Sequence, residues 1–330
     1  MVTEEIRFFL DNILNTGNML GLDRPTMEVY LMEGIKMDDD SNVLLFIDSY
    51  TMLGGFLEAL IDKMVSEYGE KSNAEWIIKQ YSDFTKNIKK YESNIVKNTK
   101  LYFEKINNIA DVLRKAEMKV KVHLSEISSG VELYLSGRSE VLRNHISRKI
   151  NDLSSEGIEK IIIISPFEQV LLEKRYIPQA AAWPFDLQYF VDTIKERITN
   201  IASPKNINIM LYEPYLTPLL MFKADLKEAT LDFLSKTISL IKSIDGVNII
   251  EEKYDGAPIG YEQIWMINPI VAVGLARNIL RKYEDKVNAI VTIRTSTAII
   301  LRRAKVLSGS KIEVYDYADF VSRIILGREI

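Results

Sequence analysis

The sequence contains no cysteine and two histidines, His123 and His145. The missing thiols exclude disulfides, thiolate zinc sites, cysteine-ligated iron–sulfur clusters and cysteine nucleophiles. Two imidazoles leave almost no material for a histidine triad or a histidine metal site. Charge of one sign is also scarce: 42 Lys and Arg stand against 46 Asp and Glu, a formal charge of −4. That balance supplies no electrostatic term for nucleic-acid binding. No apolar run approaches the roughly 20 residues that a membrane-spanning helix needs, and Glu4 and Glu5 stand where a signal peptide would be basic. These features predict a cytoplasmic protein with no membrane span and no nucleic-acid partner.

What is present is a globular composition, 47% hydrophobic and 27% charged over 330 residues, enough chain to bury a core in one large or two medium domains. An amphipathic helix (Ile6, Phe9, Leu10, Ile13, Leu14), the Gly17-Asn18 pair, Gly21 and a Pro25-led helix predict an N-terminal helical arm over 1–41. Its end, Asp38-Asp39-Asp40, lacks the alternating ligands and glycine of a calcium loop and reads as a solvated linker. Val43 to Ile47 is a short continuous apolar run, as expected for a strand buried on both faces of a parallel sheet. Helical periodicity then runs from about Gly55 to Ala116, with no evident chemistry. Val120, Val122 and Leu124 alternate with polar residues and predict a half-exposed strand that places His123 on its polar face. A helix from Ser139 to Ser154 holds His145 and stops at Gly157, and the strand Ile161 to Ile164 follows.

The second half repeats this order: strand 207–211, helix 226–241, strand 247–250, a loop bearing Gly256 and Gly260, helix 271–283 and strand 289–293. Alternating strands and helices predict an α/β protein of two pseudo-equivalent lobes, with mostly parallel sheets flanked by helices and ligand sites at the carboxyl ends of strands. The expected divisions are the arm (1–41), a first lobe (42–202) with a helical insertion near 60–112, and a second lobe (203–330).

The repeat also carries a family resemblance. Phe46-Ile47-Asp48-Ser49 resembles the family's strand that ends in a cysteine, with Ser49 at the thiol position. Glu126-Ile127-Ser128-Ser129-Gly130 resembles Glu-x-Cys-Cys-Gly, and Ser165-Pro166-Phe167-Glu168 resembles Cys-Pro-x-Cys. In the second half Tyr212-Glu213-Pro214-Tyr215-Leu216 resembles His-Asp-Pro-Cys-His, Tyr254-Asp255-Gly256 stands at Cys-Cys-Gly, and Thr292 to Thr297 stands at Thr-x-Cys-Pro-x-Cys. Gly137-Arg138, Tyr176, a closing helix from Leu187 to Ile194, Asn268-Pro269 and the segment 312–326 extend the match. Together these resemble the CCG-domain family, which includes the catalytic subunit of heterodisulfide reductase. The arm from Phe8 to Gly21 resembles the segment that precedes the CCG part in fused forms of that enzyme.

The resemblance implies former cluster-ligand positions at Ser49, Ser128, Ser129, Ser165, Glu168, Tyr215, Tyr254, Asp255, Arg294 and Thr297, with every thiol replaced. It therefore implies no catalytic residue, no metal and no cofactor, and a non-catalytic structural or adaptor subunit whose partners are iron–sulfur heterodisulfide reductase-like subunits of sulfur metabolism. Two alternatives stay open. One is a binding module for a thiol or disulfide carrier such as a lipoyl arm, with Arg138, Arg143 or Arg148 near the pocket mouth. The other is an enzyme of unrelated chemistry with Glu168 or Asp255 as acid or base and Arg294 as an anion clamp.

Overall fold

The computed structural model describes residues 4–31, 34–36, 38, 40–68, 74–122, 133, 139–165, 184–213, 227–253 and 269–330. The chain is an α/β protein with two parallel sheets. In the first lobe β1 (Val43–Phe46), β2 (Lys160–Ile163) and β3 (Asp186–Tyr189) pair in that order, with Phe46 opposite Ile163 and Ile163 opposite Tyr189. Aliphatic runs make β1 and β2, and all but their first residues are buried, as parallel strands covered on both faces require.

The segment after residue 117 contributes one bridge to the other edge of β1. Lys121 N–H donates to Val43 O at 2.9 Å and Leu45 N–H to Lys121 O at 2.8 Å. Of the strand expected from the Val120, Val122 and Leu124 alternation, the described part pairs at Lys121, and His123 and Leu124 lie outside the described residues. Val120 and Val122 are nonetheless buried.

In the second lobe β4 (Ala202–Tyr212), β5 (Asp245–Lys253), β6 (Ala289–Thr292) and β7 (Glu313–Asp316) pair in the order β5-β4-β6-β7, all parallel. Counting the Lys121 bridge, both lobes share one order: second element, first, third, fourth. The two halves repeat in topology as well as in sequence pattern. β4 and β5 run beyond 207–211 and 247–250 because their polar starts also pair, across a register shift between Ala202 and Ile207.

The helices are α1 (Glu4–Thr16), α2 (Arg24–Leu31), α3 (Ser49–Met52), α4 (Gly54–Glu67), α5 (Ala74–Lys86), α6 (Glu92–Lys115), α7 (Ser139–Ser155), α8 (Phe190–Arg197), α9 (Lys227–Lys242), α10 (Pro269–Tyr283), α11 (Thr295–Ser308) and α12 (Tyr317–Ile325). One sequence expectation needs correction here. Leu187 to Tyr189 belongs to β3, not to a closing helix, because Leu187 pairs with Ile161 at the sheet edge; the helix begins at Phe190.

The arm packs closely. α1 buries Phe9, Leu10 and Ile13, and the rings of Phe9 and Tyr81 of α5 meet edge to face at 4.7 Å. Gly17 ends α1 at φ 76°, a conformation that a side chain would strain. Buried Asn18 then accepts from Leu22 N–H at 3.1 Å and donates to Leu22 O at 2.7 Å. The aspartate linker is not wholly solvated either, since Asp38 is partly buried and accepts from Arg114 Nε at 2.9 Å.

The last helix of each lobe, besides packing on its own sheet, reaches across to the other lobe. α12, which follows β7, packs on α6 of the first lobe, while α8, which follows β3, packs on α9 of the second. α4 also packs on α10 and α11. The carboxyl ends of the two sheets face each other: Tyr317, just past β7, donates its hydroxyl to Ile164 O just past β2 at 2.5 Å. No described helix is long and apolar enough to cross a membrane.

Candidate functional site

In open parallel sheets the strand order reverses at a switch point, and ligands sit there, beyond the carboxyl ends. In this chain the switch points lie between β1 and β2 and between β4 and β6. The described residues among those that the family resemblance singles out as site positions all fall beside them. Ser49 starts α3 after β1, Ser165 follows β2, and Arg294 and Thr297 follow β6. Ser49, Arg294 and Thr297 are buried, whereas Ser165 is partly exposed. Thr297 Oγ1 lies 3.4 Å from Glu213 Oε1, so the ends of β4 and β6 meet. Ser128, Ser129, Glu168, Tyr215, Tyr254, Asp255 and Arg138 lie outside the described residues. Arg143 and Arg148 lie on the exposed face of α7, and His145 lies on its buried face.

The residues that join the two sheet ends are others. Lys105, in the middle of α6, is 3% exposed. Three oxygens surround its Nζ: Thr51 Oγ1 at 2.7 Å, Thr295 Oγ1 at 2.8 Å and Asp316 Oδ2 at 2.7 Å. The first hydroxyl belongs to the first lobe; the second and the carboxylate belong to the second lobe. Asp48 completes the group by accepting from Thr51 Oγ1 at 2.6 Å and from Thr295 Oγ1 at 3.3 Å. Both aspartates also cap helices. Asp48 accepts from Thr51 N–H at 2.9 Å at the start of α3, and Asp316 accepts from Asp319 N–H at 3.2 Å at the start of α12.

One ammonium thus pairs with the buried Asp316 carboxylate and donates to the two threonine hydroxyls that Asp48 in turn accepts from, across the lobe junction. Removing this ammonium would leave the buried Asp316 carboxylate without its ion-pair partner. Tyr317 reinforces the same junction. Burial, aided by the nearby Asp316 and Asp48 carboxylates, pushes its phenol well above the ordinary tyrosine range, so it stays protonated and donating.

A second ionic group lies farther along the same helices. Glu58 of α4, 3% exposed, accepts from Arg302 Nε at 3.1 Å, Arg303 Nη1 at 3.0 Å and Tyr102 hydroxyl at 2.5 Å. Arg303 also reaches Asp62 at 2.5 Å. Burial raises the pKa of Asp62, opposed by Arg303 beside it. A third group links α6 to α12: Asp319 pairs with Arg323 at 3.0 Å and accepts from Asn108 Nδ2 at 3.3 Å, and Arg323 reaches Glu104 at 3.0 Å. Burial raises the pKa of Asp319 too, against the pull of Arg323.

The sequence stretch 55–116, expected to hold no chemistry, therefore supplies Lys105, Glu58 and Tyr102. A signal was present. Lys105 lies three residues after Tyr102 and four before Ile109, on the apolar stripe of α6, and Glu58 interrupts the apolar run from Phe56 to Ile61. A charge at such a position needs a buried partner.

An iron–sulfur cluster does not fit the donors at these strand ends. Ser49, Ser165 and Thr297 offer hydroxyls, and Arg294 brings a fixed positive charge, whereas such clusters require soft thiolates. Among the described residues no group of three or more His, Asp or Glu side chains is placed to hold a metal ion. No protein-family model and no curated protein matches this chain.

Proposed function

We propose that this chain is a non-catalytic structural or adaptor subunit of a heterodisulfide reductase-like complex, a frame that has kept two CCG-like lobes and lost the cluster ligands. The observation that supports this reading most is the junction of the two sheets. Their carboxyl ends, where a ligand sits in folds of this kind, face each other and are tied together by Lys105, Thr51, Thr295 and Asp316 of the chain itself. Such a frame conducts no electrons. Its role is to hold and orient partners, cysteine-bearing iron–sulfur subunits of sulfur metabolism that work in the cytoplasm.

The test is isolation of the native chain from its source cell under anaerobic conditions, followed by mass spectrometry of whatever accompanies it. Iron–sulfur subunits in constant ratio to the chain are expected. A lone monomer at every stage of purification would end the adaptor reading.

A further inference from the structure

A polar cavity of 460 Å³ opens beside the Glu58 group, walled by α4 and α6 of the first lobe and by α11, β7 and the start of α12 of the second. It is distinct from the strand-end junction. Its lining carries five Lys or Arg side chains (among them Lys97, Arg302 and Arg303) against four carboxylates. Two N–H donors on this lining, Arg303 Nε and Asn98 Nδ2, are buried and reach no acceptor of the protein. Arg303 as a whole is 7% exposed. A buried donor without an acceptor is unfavourable, so one from each lobe on this lining is a cost that a bound acceptor would offset.

We infer that this cavity binds a small oxyanion-bearing molecule, a phosphate ester or a carboxylate, whose anionic group accepts from Arg303 and Asn98 with Lys97 at the mouth. Three observations favour an anion. Cationic side chains outnumber acidic ones on the wall, both unmet groups are donors, and Glu58 and Asp62 already occupy the other faces of the two guanidiniums, fixing their orientation. The volume falls within the range of about 300–1,000 Å³ typical of small-molecule sites, and it is larger than a bare oxyanion fills. Because both lobes supply walls, the ligand bridges them. This inference does not rest on the adaptor reading, since it is argued from the lining of the chain itself.

Isothermal titration of the full chain with inorganic phosphate, ribose 5-phosphate and succinate at constant ionic strength tests it. Saturable binding of at least one probe is expected, and which one binds separates a phosphate source from a carboxylate source. Lys97→Glu, at an exposed position, should weaken that binding by about tenfold or more while leaving the circular dichroism spectrum unchanged. Asn98→Leu should do the same by removing the amide donor, while Lys100→Glu on the outer face of α6 should leave it unchanged. No saturable heat with any of the three probes, or binding that survives Lys97→Glu, overturns the inference.

Discussion

Replacing Lys105 by Met keeps the length and most of the apolar stem and deletes the charge. Asp316, 2% exposed, then stays buried with its helix cap but no counter-ion, and Thr51 and Thr295 each lose a donor. Breaking a buried pair by removing one partner costs about 3–5 kcal/mol. The unfolding equilibrium should therefore move by roughly two to four powers of ten. Adding Asp316→Asn preserves the cap to Asp319 and removes the orphaned charge. The double variant should recover most of the loss, with a coupling of about 2 kcal/mol or more. Urea denaturation followed by circular dichroism measures both quantities. Hydrogen exchange locates the effect, which should appear in α3, the start of α11 and α12. A Lys105→Met penalty below about 1 kcal/mol, the level of an exposed pair, refutes the reasoning that this ammonium holds the lobes together.

Other expectations follow from neighbouring groups. Glu58→Leu leaves Arg302 and Arg303 facing each other without their shared carboxylate and should cost about 3–5 kcal/mol by the same denaturation assay, with Glu58→Gln costing less. Tyr317→Phe removes the donor to Ile164 O and should cost about 1–3 kcal/mol while leaving secondary structure unchanged. Gly55→Ala would place a Cβ 2.6 Å from the backbone nitrogen of Thr99, so α4 and α6 must separate; a melting point equal to wild type contradicts that packing. Asp319 supplies a pH dependence. Its pKa is raised by burial on folding, so the folded chain holds this proton more tightly than the unfolded one. Stability from this group is lost as pH rises from the ordinary aspartate range through the raised value. Asp319→Asn should therefore be favoured over wild type at neutral pH, and the gap in urea midpoint should close as the pH falls.

The architecture was legible where a local pattern dictates it. Continuous aliphatic runs such as Leu44 to Ile47 and Ile161 to Ile164 announce strands buried on both faces, and the strand–helix order repeats in both halves, so two parallel lobes followed. Leu187 to Tyr189, expected to open the closing helix, is strand because four residues are too few to separate alternation from the start of the helix at Phe190. The lobe junction was illegible for a different reason. Lys105, Thr51, Thr295 and Asp316 lie far apart in sequence, and no local period encodes which helices reach across to the other lobe. Only the misplaced charges on the apolar face of α6 and within α4 hinted at it. Ser49, Arg294 and Thr297 lie just past strand ends, and the charged groups around them come from neighbours outside the motifs.

The measurement that bears most directly on the central claim is anaerobic reconstitution of the purified chain with ferrous iron and sulfide, read by iron and sulfide analysis after gel filtration. A frame whose strand ends carry hydroxyls and a guanidinium should emerge without bound iron and without visible charge-transfer absorption. Iron and sulfide retained in a fixed ratio to the chain, with the absorption of a cluster, would contradict the account.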